Sequence, residues 1–240
     1  MKVWQKALIS TLVTLAIGGT YLFTVWRHRQ DPGVIGRTTA NSRASVNEVA
    51  VPRTLSPLHF EDTLVLEDKC VWMRNGDTMA YFPYAGRQVV FSRRIGVIPP
   101  LQRLEIKKIV KAAVPASVDD GMSHGSRQAF AVFALPGSAT LYATPIGAMQ
   151  GSDEAYYTDL LFFYDDPHTI YSNWPADLWA AIDAHQVKPG MSEMETRLAI
   201  GQDVHSDRRT VGDRTVTYNA AGKQWTVTYV DDHATTIESK

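Results

Sequence analysis

Ser192 stands three residues before Glu195 at the head of a short apolar run, and this pair marks a helix start. The serine hydroxyl accepts from the backbone N–H at 195, and the Glu195 carboxylate reaches back to the N–H at 192. Lys188-Pro189-Gly190-Met191 leads in, Met194, Leu198 and Ala199 form one apolar stripe, and Gly201 stands where a helix ends on a glycine in the left-handed region. The period then changes from helical to alternating. Thr215-Val216-Thr217-Tyr218 and Gln224 to Val230 alternate around a turn at Asn219 to Gly222, and Ala234 to Ile237 is a last short strand. Alternation puts Trp225, Val227 and Tyr229 on the face toward the Ser192 helix, and Thr217, Thr226 and Thr228 on the other.

This order of helix start, helix end at Ile200-Gly201, tyrosine strand, glycine turn and strand pair resembles the SmpA/OmlA (BamE-like) module of bacterial envelope proteins. The resemblance runs from about Asp183 onward and is most specific at Val187-Lys188-Pro189-Gly190-Met191-Ser192 and Leu198-Ala199-Ile200-Gly201. The family pattern continues Leu-Gly-x-Pro, whereas Gly201 is followed here by Gln202-Asp203-Val204. The family's lipid-anchor cysteine is also missing from Leu15-Ala16-Ile17-Gly18-Gly19-Thr20. The resemblance implies an envelope-facing module that binds other proteins and does no chemistry.

Nearer the amino terminus, Ala7 to Trp26 carries no charge, and about 20 residues at about 1.5 Å each are enough to cross the roughly 30 Å hydrocarbon core of a bilayer. Lys2 and Lys6 precede the run, Arg27 and Arg29 follow it, and Trp4 and Trp26 sit at its ends as interfacial anchors do. It reads as a single-pass anchor over residues 1–29. The competing signal peptide lacks a small-x-small cleavage site near Thr20-Tyr21-Leu22-Phe23. The count of flanking positive charges leans toward a cytoplasmic domain. The resemblance implies a periplasmic one at the bacterial inner membrane, and that is the expectation adopted. Residues 30–57 are poor in large apolar side chains and read as a tether.

Two regions follow, 58–172 and the module at 173–240. In the first, Asn75-Gly76 between two apolar runs is the strongest short hairpin signal in the chain. Pro99-Pro100 is expected to open a helix through about Ala113, with Ile106, Ile109, Val110 and Ala113 on one arc and Arg103, Lys107, Lys108 and Lys111 on the opposite, basic arc. A solvated face explains such an arc, and contact with anionic lipid headgroups or an acidic partner is the sharper alternative. Ala129 to Leu135, Thr140 to Ile146 and Tyr156 to Tyr164 read as strands, and Pro175 to His185 as a helix with Leu178, Trp179 and Ile182 inward. The fold expected is therefore α+β: a transmembrane helix, then helices packed on antiparallel sheet, with room for two helix-plus-strands units.

For chemistry the chain offers little. With a formal net charge of -1 it has no global basic field for nucleic acid. Cys70 is the single cysteine, which excludes an internal disulfide and any multi-cysteine metal site, and reads as a small buried hydrophobe. Gly121-Met122-Ser123-His124-Gly125 matches the nucleophile-elbow spacing of a hydrolase, but an acidic loop precedes it and a strand follows, the reverse of what holds such a serine. Asp165-Asp166-Pro167-His168 groups two carboxylates and an imidazole, and a turn closing the preceding strand accounts for the same residues. No catalytic residue, cofactor or metal is expected. The expected function is a membrane-anchored, non-enzymatic interaction or scaffold module with a protein partner. Arg103, Lys107, Lys108, Lys111, Thr217, Thr226 and Thr228 are its candidate contacts. The alternatives are a ligand-binding module using the aromatics between 156 and 179, or a hydrolase at Ser123.

Overall fold

Every residue from Gln128 to Ala134 is buried, and none is charged. A strand of that kind needs cover on both faces and a neighbour on each side, and the architecture is built around meeting that need. The computed structural model describes residues 51–74, 76, 79–118, 127–207, 210–220 and 222–240. The run from Ala7 to Trp26 lies outside them, and among the described residues no helix is long and apolar enough to cross a membrane.

A one-turn helix α1 (Phe60–Thr63) comes first. The strands then run β1 (Cys70–Met73), β2 (Ala80–Ala85), β3 (Gln88–Val89), β4 (Gly96–Val97), β5 (Arg103–Ala113), β6 (Arg127–Ala134), β7 (Leu141–Gln150) and β8 (Asp153–Tyr156). Helix α2 (Thr158–Leu161), strand β9 (Phe162–Phe163) and helices α3 (Pro167–Ile170), α4 (Ala176–Asp183) and α5 (Glu193–Ile200) follow. The chain closes with β10 (Asp203–Ser206), β11 (Thr215–Ala220), β12 (Lys223–Val230) and β13 (His233–Ser239). The first sheet has nine strands among the described residues, in the order β3-β2-β7-β6-β5-β1-β9, with β4 also on β2 and β8 on β7. The second has four, β10-β11-β12-β13. All these pairings are antiparallel.

Alternation along β6 explains its double burial. Ala129, Ala131 and Phe133 join Val71, Met73, Ile106, Ile109 and Phe162 on one face. Phe130 and Val132 join Phe82, Val89, Val114 and Ala143 on the other. The second sheet lays Val216, Tyr218, Val227 and Tyr229 against Trp179, Ile182, Leu198 and Ile200 of α4 and α5, and the same cluster takes in Phe163 and Tyr171, so the two sheets share a core.

This is a mostly β protein, which overturns the expected α+β fold. The largest single change is β5, expected as a helix from Pro99 to Ala113. Its register slips between Ile106 and Lys108, a β-bulge that shifts the inward phase by one residue. Leu104 and Ile106 point in before the slip and Ile109 after it, while Val110 and Ala112 pack on the opposite face. A phase slip plus two-sided burial imitates a helical spacing of three and four. On the other side of β5 the pairing with β1 runs only from Trp72 opposite Arg103 to Cys70 opposite Glu105, and beyond it the Glu67 carboxylate accepts the N–H of Ile109 at 2.8 Å.

The Asn75-Gly76 signal does not make a hairpin of neighbouring strands either. β1 lies between β5 and β9, and β2 lies beside β7. What Gly76 supplies is proximity, since a Cβ there would sit 2.2 Å from the Pro100 nitrogen. Gly76→Ala is accordingly expected to destabilise the protein by about 1–3 kcal/mol through overpacking, measurable as a lowered midpoint in urea unfolding. The stretch read as a third strand from Tyr156 to Tyr164 is split, with α2 between β8 and β9.

The end of the tether is also tied down. Asp159 accepts from the N–H groups of Leu55 at 2.9 Å and Ser56 at 2.8 Å, and Arg53 donates to the Tyr164 carbonyl at 3.3 Å. At the other end of the chain, the Gly190 N–H donates to the Ala234 carbonyl at 2.9 Å and the Ala234 N–H to the Met191 carbonyl at 2.7 Å, so the entry to α5 is bonded to β13.

Candidate functional site

Helix α5 forms as the sequence predicts. Ser192 Oγ accepts from the Glu195 N–H at 3.2 Å, and Glu195 Oε2 accepts from the Ser192 N–H at 2.7 Å. Gly201 ends it at φ 95°, a backbone conformation that glycine tolerates. Its buried face differs from the expected stripe. Glu193, Thr196, Leu198, Ala199 and Ile200 are inside, while Met194 is 41% exposed.

Glu193 is 2% exposed, a carboxylate that must be paired to stay there. Arg197 NH2 lies 2.6 Å from its Oε1 and Arg214 Nε 3.0 Å from its Oε2, and the Arg214 NH2 group closes a second bond to Oε1. Burial pushes the carboxyl group upward in pKa, but the Arg214 hydrogen bonds and the charges of Arg197 and Arg214 outweigh it and hold the group below the ordinary glutamate range. This network fixes the helix to β11 and holds Arg197 in place.

Two clefts flank α5. One, of about 530 Å³, lies between Val97, Pro99 and Pro100 on one side and Ile200, Lys223 and Trp225 on the other. His185 also lines it, with Nδ1 donating to the Ala199 carbonyl at 2.8 Å. Trp225 packs only partly against the core, so it is a wall of this cleft and not the fully buried anchor that alternation suggests. Trp225→Ala is expected to cost about 1–2 kcal/mol, well short of a fully buried aromatic. Thr226→Ala and Thr228→Ala are expected to stay within about 0.5 kcal/mol, all three read from thermal melts.

The other cleft, of about 560 Å³, is lined by Arg74, Leu160, Phe163, Met194, Arg197, Leu198 and Gln202. Phe163 and Leu198 are buried beneath it, whereas Leu160 is 67% exposed and Met194 41%. Two of the large apolar side chains that the fold leaves in water thus meet in one groove beside two guanidinium groups. Among the described residues no Asp or Glu lines it.

The sequence-predicted contacts fall elsewhere. The basic residues 103, 107, 108 and 111 do not make one helical arc, because they lie on β5, where three of them are separately engaged. Arg103 donates to Cys70 Sγ at 3.1 Å, Lys107 pairs with Glu105 at 3.0 Å, and Lys111 Nζ lies 4.1 Å from the centre of the Phe60 ring. Lys108 is exposed on the bulge. Cys70 is half-buried beside Arg103, not enclosed in the core as expected. Thr217 pairs with Thr226 across β11 and β12, and Thr228 with Thr215 through hydroxyls 3.1 Å apart; all are half-buried on the face opposite Tyr218, Val227 and Tyr229.

Of the aromatics between 156 and 179, Phe163, Tyr171, Trp174 and Trp179 stack on one another, while Tyr156, Tyr157, Phe162 and Tyr164 pack into the core of the first sheet. Phe163 meets Tyr171 edge-on at 6.1 Å, Tyr171 stacks on Trp174 at 4.5 Å, and Trp179 carries His168 at 4.0 Å. His168 bridges Asp166 and Asp183, each at 3.2 Å, and Asp166 caps α3 by accepting the His168 N–H at 2.9 Å. Among the described residues no group of three or more His, Cys, Asp and Glu side chains is placed to hold a metal ion. Ser123 lies outside the described residues.

No known family, curated protein or solved structure matches the chain. The groove beside α5 was not legible beforehand, because Arg74, Leu160 and Met194 come from three distant parts of the sequence. One signal was available: Leu160-Leu161-Phe162-Phe163 carries more consecutive apolar residues than one strand face can bury.

Proposed function

We propose that this protein is a non-enzymatic interaction module of the bacterial cell envelope, held at the inner membrane through the charge-free run at 7–26, with its folded part in the periplasm. It holds a protein partner in the groove between α2 and α5. The observation that carries this reading is the pairing of exposed Leu160 and Met194 above buried Phe163 and Leu198, since contiguous exposed apolar side chains on a folded surface mark interaction sites. The BamE-like order of helix and strands after Asp183 supports the envelope setting. Methionine suits such a groove because its unbranched thioether adapts to a partner's shape.

The test is photocrosslinking in cells with benzoylphenylalanine at 160, 194 and, as an exposed control away from the groove, 211. Discrete adducts at 160 and 194, absent at 211 and lost on Met194→Asp paired with the probe at 160, are expected. Equal adducts at all three positions, or none at the groove positions, overturn the reading. Fractionating the same cells tests the membrane attachment, and a soluble product starting near residue 27 would replace the anchor with a cleaved signal peptide.

A further inference from the structure

Resting on that reading, we infer that the groove takes an extended apolar segment of a partner protein that carries a carboxylate next to its apolar anchor, the carboxylate being received by Arg74. Arg74 is fixed from three sides. Its backbone N–H donates to the Leu161 carbonyl at 2.6 Å, its NH1 group donates to the Asp159 carbonyl at 3.1 Å, and its guanidinium carbon lies 5.3 Å from the centre of the Phe163 ring. The long side chain is thus held at the groove by a main-chain carbonyl and an aromatic face, which lowers the conformational cost of receiving an acid there.

Among the described residues no carboxylate pairs with Arg74. The nearest one in sequence to its carbonyl acceptor, the Asp159 side chain, is spent elsewhere: it accepts from the backbone N–H groups of Leu55 and Ser56 and from the Tyr164 hydroxyl at 2.6 Å. Glu193, buried behind Arg197, is engaged by Arg197 and Arg214. Among the described residues, the groove therefore presents a positioned cation that its lining does not neutralise, beside an apolar floor. A guanidinium fork receives a carboxylate through two parallel hydrogen bonds, and excluding water from the neighbouring apolar contacts strengthens them.

A membrane surface is the competing source of an apolar group joined to an anion. Binding in the headgroup region relies on a broad apolar helix face with many basic residues around it. Here the exposed apolar side chains lining the groove are Leu160 and Met194, and the helices that carry them, α2 and α5, have four and eight residues. The geometry favours one inserted segment of a protein chain.

The experiment uses the full chain and two fluorescein-labelled octapeptides, identical in their leucine and phenylalanine residues, one with a central glutamate and the other with glutamine. Fluorescence anisotropy is expected to show the glutamate peptide binding about ten-fold more tightly, as a charge-assisted bond to a positioned guanidinium allows. Arg74→Gln should abolish that preference while leaving the glutamine peptide's affinity and the melting curve unchanged. Arg74→Lys should keep only part of it, and Leu160→Ser with Met194→Ser should remove binding of both peptides. Equal affinity for the two peptides, unaltered by Arg74→Gln but lost with the double serine variant, overturns the carboxylate inference and leaves the groove reading standing. Binding of neither peptide, or binding indifferent to the double serine variant, overturns both. Vesicles of anionic phospholipid that bind the protein in an Arg74-dependent way, in preference to the glutamate peptide, assign the groove to lipid and also overturn the inference.

Discussion

Replacing Glu193 by alanine is expected to destabilise the protein by about 3–5 kcal/mol, the range for breaking a buried ion pair by removing one partner. At 2% exposure this carboxylate joins the first turn of α5 to Arg197 and to Arg214, which leads into β11. Without it two guanidinium groups are left facing each other, and the Arg214 side chain is only 12% exposed. A thermal melt should show a drop of roughly 10 °C for a chain of this size. The damage extends to Arg197, so a groove-binding peptide should also lose affinity.

The same group sets an acid limit. Its pKa in the folded protein lies below the ordinary glutamate value near 4.5, so its contribution to stability is complete above that value and is lost as the pH falls through the lowered one. Unfolding free energies measured from neutral pH downward should therefore fall below about pH 4.5 in the native protein, and with a shallower slope in Glu193→Gln, which has no proton to take up there. An equal slope in the two proteins would show that other carboxylates govern the acid transition. Asp159 is the next to consider. Burial raises its pKa, but the N–H groups of Leu55 and Ser56 and the Tyr164 hydroxyl together hold it low.

Tyr229→Ala is the second large effect, about 3–5 kcal/mol for removing a buried large aromatic. Tyr229 and Tyr218 are 1% and 0% exposed, and their hydroxyls are 2.9 Å apart inside the core shared by the two sheets. Burial pushes the Tyr229 hydroxyl up to about 12, so both stay neutral across the physiological range. A double-mutant cycle separates ring from hydroxyl. Tyr229→Phe should cost roughly 1 kcal/mol or somewhat more, because it strands the Tyr218 hydroxyl, and adding Tyr218→Phe should recover much of that loss. Equilibrium unfolding of the three variants checks it, and additive losses would mean that the two hydroxyls are not coupled.

What could be read from the sequence was local or one-sided. The Ser192 and Glu195 cap involves residues three apart, and β11 and β12 alternate cleanly because one face of their sheet is buried and the other is open. β5 escaped because a one-residue slip and cover on both faces turned a strand pattern into helical spacing. β1 escaped because its partners are β5 and β9, far along the chain, while the Asn-Gly signal speaks only of adjacent residues. The threonines expected as contacts, Thr217, Thr226 and Thr228, lie half-buried on the face of β11 and β12 opposite Tyr218, Val227 and Tyr229, and a shared face alone does not bring side chains together into a site. The groove depends on a tertiary meeting of α2, α5 and Arg74 that no periodicity encodes.

The bonds between the approach to α5 and the start of β13 bear on how copies of this chain coexist at high local concentration. β13 is an outer strand, and an outer strand offers its free backbone groups to any passing strand. Its alternate rungs are taken up by β12, down to Lys240 paired with Gln224. On its open side the first rung, at Ala234, is already occupied by Gly190 and Met191, so a foreign strand cannot register along the full length of β13 from that end. A high concentration of such chains thus meets a built-in restraint against edge-to-edge fibril growth at β13, and it comes from the same short segment that starts the helix.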